Sequence, residues 1–181
     1  MGLVETLTGV RVFFLVAALS MGIAGLFLPI IQVGHDCNYF VTELKCMGVT
    51  TPVADYSCDL ARERFRATLA LVIIADISLV FVIVFAILAV VMKKPAINGA
   101  GSCFMCIASI FMLTSWAMNV AFFRGTAVYC NGTAPKDIPN ASYGSGLILF
   151  ITSWCLMCVG NCCAVGAART GEDGDEESLV Q

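Results

Sequence analysis

Charged residues are scarce in this 181-residue chain, where Asp, Glu, Lys and Arg together make up 13%, against roughly 25% in an ordinary soluble domain. Basic residues are not in excess either. Ten Lys and Arg stand against thirteen Asp and Glu, for a net charge of −3, which argues against a nucleic-acid partner. Hydrophobic residues reach 59%, too much for disorder or for one core of this size. The composition therefore predicts a membrane protein.

Residues that usually carry catalysis are also few. His35 is the only histidine, and no second His, Ser or Cys stands at a catalytic spacing from it. Beside Asp36, it is expected to be an ordinary surface residue. Internal repeats at a solenoid period are absent as well. We therefore predict that the protein is not an enzyme.

Four long apolar runs account for the hydrophobic excess, at residues 12–33, 67–92, 97–123 and 145–167. Each exceeds the roughly 20 residues that a helix needs to cross a bilayer, and each must be helical because backbone groups in lipid need internal partners. The first run is too long for a signal-peptide core of roughly 7–15 residues. We predict an all-α membrane protein, a four-transmembrane-helix bundle over residues 1–168, followed by a disordered acidic tail at 169–181.

The distribution of Lys and Arg gives a weak answer on orientation. With both termini cytoplasmic, four basic residues face inward and six face outward, which mildly favours the reverse arrangement. Three of the outward residues are spaced for a helix that extends above the membrane to the level of the lipid phosphates. They are Arg62, Arg64 and Arg66, with acids nearby at Asp59 and Glu63.

Glycosylation signals and cysteines oppose that reverse arrangement. Asn131 and Asn140 both begin N-glycosylation acceptor sequences in the third connection. Four cysteines lie off the membrane on the same face, which predicts two disulfides in an oxidising compartment. They are Cys37, Cys46, Cys58 and Cys130. We therefore expect both termini in the cytoplasm and the protein in the plasma membrane or an endomembrane.

The first outer loop resembles that of claudin-like four-transmembrane (tetraspan) proteins. Cys37 and Cys46 are separated by eight residues, and in that architecture a close cysteine pair clasps two strands of a small extracellular sheet. The resemblance implies a disulfide-bonded extracellular region here, with a short β-sheet as one arrangement. We expect disulfides Cys37–Cys46 and Cys58–Cys130.

Other segments narrow the resemblance to the amastins, surface glycoproteins of trypanosomatid parasites. The matching segments are Cys58-x-x-x-Arg62-x-Arg64-Phe65-Arg66-Ala67, Ser115-Trp116-Ala117, Tyr143-Gly144-Ser145-Gly146 and Thr152-Ser153-Trp154-Cys155-Leu156. The family places Trp-Gly between its paired cysteines, and residues 38–45 lack both. The resemblance implies a non-enzymatic membrane glycoprotein and carries over no catalytic residues.

Asp76 is the one formally charged residue in the four apolar runs. A charge near the bilayer centre costs roughly 2.5–3.5 kcal/mol on insertion scales. Hydroxyl residues at matching depth predict a polar layer that donates hydrogen bonds to Asp76: Ser20, Thr114, Ser115, Thr152 and Ser153. Three interpretations remain open: a proton or cation site, a contact to a partner helix, or a protonated Asp that locks helix packing.

Cysteines also lie within the membrane runs. Cys103 and Cys106 share a face of the third helix, and Cys158 and Cys162 share a face of the fourth. Their neighbours are apolar and offer no supporting polar groups, so we expect packing residues and no metal or cofactor. Cys162 and Cys163, near the inner face, are candidates for palmitoylation, and Gly2 fits the N-myristoylation pattern.

Three functions remain after these exclusions. The first is a non-enzymatic tetraspan glycoprotein that acts through lateral helix and outer-loop association. The second is a small accessory subunit of a larger membrane complex. The third, an oligomeric channel or transporter, is disfavoured by the single intramembrane ionisable group. The expected partners are membrane lipids and other membrane proteins or copies of the same chain, without nucleic acid.

Overall fold

The computed structural model describes residues 3–34, 37–56, 58–92, 96–125 and 135–179. Its long helices are α1 (Leu3–Phe27), α2 (Asp59–Met92), α3 (Ala96–Arg124) and α4 (Ser145–Leu179). Its strands are β1 (Ile31–Val33), β2 (Cys37–Tyr39), β3 (Glu43–Cys46), β4 (Val49–Pro52) and β5 (Ala141–Tyr143). Short 3-10 helices occupy Val53–Asp55 and Pro135–Asp137. The predicted fold class, a four-helix membrane bundle with a small disulfide-bonded sheet, is confirmed.

Each of the four long helices is long and apolar enough to cross a membrane. Helix α1 packs mainly on α4, and α2 packs mainly on α3. Large side chains are fully buried within the bundle, among them Leu15, Leu79, Met112, Phe150 and Met157. Many other apolar side chains remain exposed on the outside of the helices, as expected where lipid replaces water as the surrounding solvent.

The helix boundaries differ from the apolar runs at several points. Helix α1 ends at Phe27, because Pro29 follows and disfavours helical backbone at the residue before it. The last residues of the first run form strand β1 instead. Helix α2 begins at Asp59, above the second run. Arg62 there pairs with Asp59, which confirms the expected helical extension.

Helix α4 continues beyond the fourth apolar run to Leu179, through the acidic segment for which we expected disorder. Extending an existing helix costs far less than nucleating a new one. The segment also contains alanine and glutamate, which favour helical backbone. The acidic residues are therefore carried on a helical extension of the fourth span.

The five strands form one antiparallel sheet in the order β4-β3-β2-β1-β5. Strand β5 precedes α4 and pairs with β1, so that Ile31 lies opposite Tyr143. Strands β3 and β4 are joined by a two-residue turn, where Met47 and Gly48 have φ values of 50° and 80°. Positive φ at both positions matches the turn type that best fits the twist of a hairpin. The sheet thus joins the segment between α1 and α2 to the segment between α3 and α4 at one end of the bundle.

Candidate association site

A disulfide holds together the segment between α1 and α2. Cys37 on β2 lies directly opposite Cys46 on β3, and the two are bonded with their Cα atoms 4.1 Å apart. This pairing is confirmed. Cys58, just before α2, is also disulfide-bonded. Its expected partner Cys130 lies outside the described residues, so the pairing of these two remains a prediction.

The hairpin next to this disulfide presents an apolar tip. Met47 is 82% exposed and Val49 is 64% exposed, and we call these two residues the hairpin tip. The disulfide at Cys46 and the tight turn at Gly48 hold the tip in place. Sequence reasoning missed it, although Cys-Met-Gly-Val contains a turn glycine at the right spacing. Exposed apolar side chains on a rigid support are a typical feature of protein contact surfaces.

An aromatic cluster fixes the sheet on the bundle. The ring of Phe65, near the start of α2, stacks on Tyr39 of β2 at 6.2 Å and meets Tyr56 edge-on at 6.1 Å. Phe122 of α3 also meets Phe65 edge-on, at 5.3 Å. Burial raises the pKa of Tyr56 far above its usual value, with further contributions from Tyr39 and Glu43. The sheet is therefore anchored by side chains from two helices.

Two glycines allow α4 to start against the end of α1. The Gly144 N–H donates to the Ile30 carbonyl at 2.7 Å, and the Gly146 N–H donates to the Pro29 carbonyl at 2.9 Å. A Cβ at Gly146 would lie 2.6 Å from the Leu28 carbonyl oxygen. These contacts give a physical reason for Tyr143-Gly144-Ser145-Gly146, the segment that carried much of the family resemblance.

Asp76 lies inside the bundle, only 8% exposed, with its carboxylate against α1. A Cβ at Gly22 would lie 2.5 Å from Asp76 Oδ1, so the glycine provides the space that the carboxylate occupies. Oδ1 has no hydrogen-bond partner among the described residues. This placement favours a role in packing α1 against α2 over a contact with a partner helix.

The hydroxyl residues predicted to surround Asp76 make other contacts. Three of them bond to carbonyls one turn back on their own helices: Ser20 to Val16, Thr114 to Ile110, and Thr152 to Ile148. Ser153 donates across the bundle to the Ala18 carbonyl at 2.7 Å. Ser115 is buried, with no partner for its hydroxyl among the described residues. Among these hydroxyls only Ser153 bonds to another helix, and none of the five donates a described bond to Asp76.

A buried amide supplies a polar contact that sequence reasoning missed. Asn119 of α3 donates from Nδ2 to Thr68 Oγ1 of α2 at 3.3 Å and to the Ser115 carbonyl at 2.9 Å. An asparagine in an otherwise apolar run was the available signal, because such a group needs a partner in lipid. This bond ties α2 to α3 below the aromatic cluster.

The modification candidates divide between described and undescribed positions. Gly2 and Asn131 lie outside the described residues. Asn140 is exposed just before β5, with a φ of 61°, and its carbonyl accepts a bond from the Gly34 N–H at 3.3 Å. Cys162 is exposed and Cys163 half-buried, both with free thiols. Where the structure describes the chain, no group of three or more His, Cys, Asp or Glu is arranged to hold a metal ion.

Comparison with known proteins settles the family. The family model described as amastin surface glycoprotein matches residues 12–163, which include the outer sheet and most of the four helices. The chain belongs to the amastin surface glycoprotein family. No curated protein matches the sequence significantly. Membership, together with four helices long enough to span a bilayer, makes this amastin an integral membrane protein.

Proposed function

We propose that the protein is a non-enzymatic membrane glycoprotein that associates with copies of itself through its outer hairpin and its helices. The observation that carries this proposal is the hairpin tip, where Met47 and Val49 stay exposed beside a disulfide. Burying one such side chain in a contact contributes about 1.5–3 kcal/mol. Exposed apolar surface along the helices offers further contact area within the membrane.

We further propose that the sheet faces the outside and both termini face the cytoplasm. The family's description as a surface glycoprotein supports this, as do the Cys37–Cys46 disulfide and the two acceptor sequences of the third connection. We expect glycosidase treatment of the cell-expressed protein to lower its mass, and Asn131→Gln to remove most of that change, with Asn140→Gln as the matched variant. If the protein carries no glycan and its loops can be labelled only after the cells are permeabilised, the proposed orientation is wrong and the opposite one holds.

Adding a charge at the hairpin tip tests the contact surface. We expect Met47→Asp to weaken self-association at least about tenfold, because a charge in an apolar contact is costly to desolvate. The matched control is Ala54→Asp, which adds the same charge at an exposed site away from the tip. Both variants are compared by native mass in mild detergent across a dilution series. If both variants and the unmodified protein dissociate equally on dilution, the hairpin tip is not part of the contact between copies.

The accessory-subunit alternative is favoured by one feature, the continuation of α4 past Val165, where its span ends, to Leu179. The sequence of this extension has five acids within residues 172–177, a charge pattern that suits a basic partner. A channel within one copy is disfavoured, because large apolar side chains fill the bundle centre. Co-purification of unrelated subunits in fixed ratio would favour the accessory role.

A further inference from the structure

Arg11 is a buried basic residue within the candidate span of α1, which covers Thr6–Phe27. Only 5% of it is exposed, and its Nε has no hydrogen-bond partner among the described residues. A guanidinium carries five N–H donors and stays charged in proteins. Burying such a charge without an anion costs several kcal/mol. The position therefore calls for an anionic partner.

The surroundings of Arg11 place it in the seam between α1 and α4. Cys163 on α4 is one of its neighbours. One turn further along α1, Leu15 Cδ2 lies 3.2 Å from where a Cβ at Gly160 would be. The seam is tight at Gly160 and reaches Arg11 near the end of the bundle opposite the sheet, where Cys163 is half-buried.

The described carboxylates do not supply the missing anion. Asp76 is the one inside the membrane segments, and it faces Gly22, about 16 Å farther along α1 at 1.5 Å per residue. The other described acidic side chains belong to the segments that join the helices and to the start of α2, and Glu5 of α1 lies outside the described side chains. The acids of the α4 extension begin at Glu172, about 13 Å along that helix axis from Cys163.

Arg11 lies near enough to the end of its candidate span for its side chain to reach the phosphate layer of a bilayer. It lies five residues past Thr6, where the span begins, or about 7.5 Å at 1.5 Å per residue. Long basic side chains bridge such a distance by extending toward the headgroups. Phosphate is also the group that a guanidinium binds best, through two parallel hydrogen bonds. Basic pockets between membrane helices are known binding sites for lipid headgroups.

We propose that Arg11 binds a phosphate group in the seam between α1 and α4, and that this phosphate belongs to a membrane phospholipid. The lipid headgroup would compensate the buried charge, and its acyl chains would lie along the exposed apolar faces of the two helices. The site does not depend on orientation, since both leaflets carry phosphate. It is also separate from the hairpin tip, so either proposal can fail without the other.

The test uses the full chain, delipidated in a maltoside detergent that contains no phosphate. Phosphatidylglycerol, neutral diacylglycerol or inorganic phosphate is added. Native mass spectrometry counts the bound lipid, and the midpoint of thermal unfolding is measured in parallel. We expect phosphatidylglycerol to bind and to raise the midpoint, and diacylglycerol to do neither. Arg11→Gln is expected to weaken phosphatidylglycerol binding at least tenfold, while Lys136→Gln, which removes an exposed charge outside the membrane-spanning helices, leaves it unchanged.

Three results would overturn the proposal. The first is equal binding of phosphatidylglycerol by Arg11→Gln and the unmodified protein. The second is stabilisation by inorganic phosphate with no lipid retained, which would assign the site to a soluble ligand. The third needs only the unmodified protein and therefore still applies if Arg11→Gln does not fold. If diacylglycerol and phosphatidylglycerol raise the thermal midpoint equally, the protein has no phosphate site.

Discussion

Gly146→Ala is expected to destabilise the bundle by about 3 kcal/mol or more. The new methyl group would lie 2.6 Å from the Leu28 carbonyl oxygen and 2.9 Å from the Gly25 carbonyl oxygen. Both are backbone atoms, which cannot move aside without separating α1 from α4. At roughly 2–4 °C for each kcal/mol in a chain of this size, the midpoint of thermal unfolding should fall by roughly 6–12 °C.

Gly9→Ala is the matched control for that substitution. A Cβ at Gly9 would meet nothing within 4 Å, and alanine favours helix over glycine by roughly 1 kcal/mol. Gly9→Ala should therefore leave the midpoint unchanged or raise it. Unfolding can be followed by tryptophan fluorescence, because the half-buried rings of Trp116 and Trp154 pack together with their centroids 5.9 Å apart. A Gly146→Ala protein as stable as Gly9→Ala would contradict the close approach of the two helices.

Gly22→Ala should cost about 2 kcal/mol because its methyl group would occupy the space of the Asp76 carboxylate. The same substitution in an Asp76→Ala background should cost less than about 0.5 kcal/mol, or stabilise slightly, since alanine favours helix. The four proteins form a double-mutant cycle, measured by thermal or chemical unfolding in detergent.

Asp76→Asn sharpens this cycle because it keeps the shape of the side chain and removes its charge. If the contact is steric, Gly22→Ala should remain costly in the Asp76→Asn background. An equal cost of Gly22→Ala in all three backgrounds would mean that these residues are not in contact. It would reopen the interpretation of Asp76 as a contact to a partner helix.

The four helices could be predicted from the sequence because each apolar run is long enough to cross a bilayer. The Cys37–Cys46 pair was predicted through its spacing and its resemblance to a known architecture. Strands β1 and β5 could not be recognised from the sequence. Each has only three residues, and the two strands that pair are far apart in the sequence. Residues 31–33 looked like the end of a helix until their partner on β5 was known.

The polar groups inside the membrane were only partly predictable. Sequence pattern singled out Asp76, since a charge in an apolar run is costly in lipid, but left its role open. Its neighbour Gly22 was not identifiable, because that contact depends on the rotation of α1 about its axis. For the same reason Arg11 was counted only as one of the four basic residues on the cytoplasmic side, whereas it is buried beside α4.

The mass and composition of the particle extracted from its native membrane in mild detergent would test the proposed function most directly. Self-association through the hairpin tip and the helices predicts a discrete oligomer of this one chain, with bound lipid but without other protein subunits. A monomer that persists at high concentration would contradict self-association. An assembly that contains unrelated subunits in a fixed ratio would also contradict self-association, and would support the accessory-subunit role.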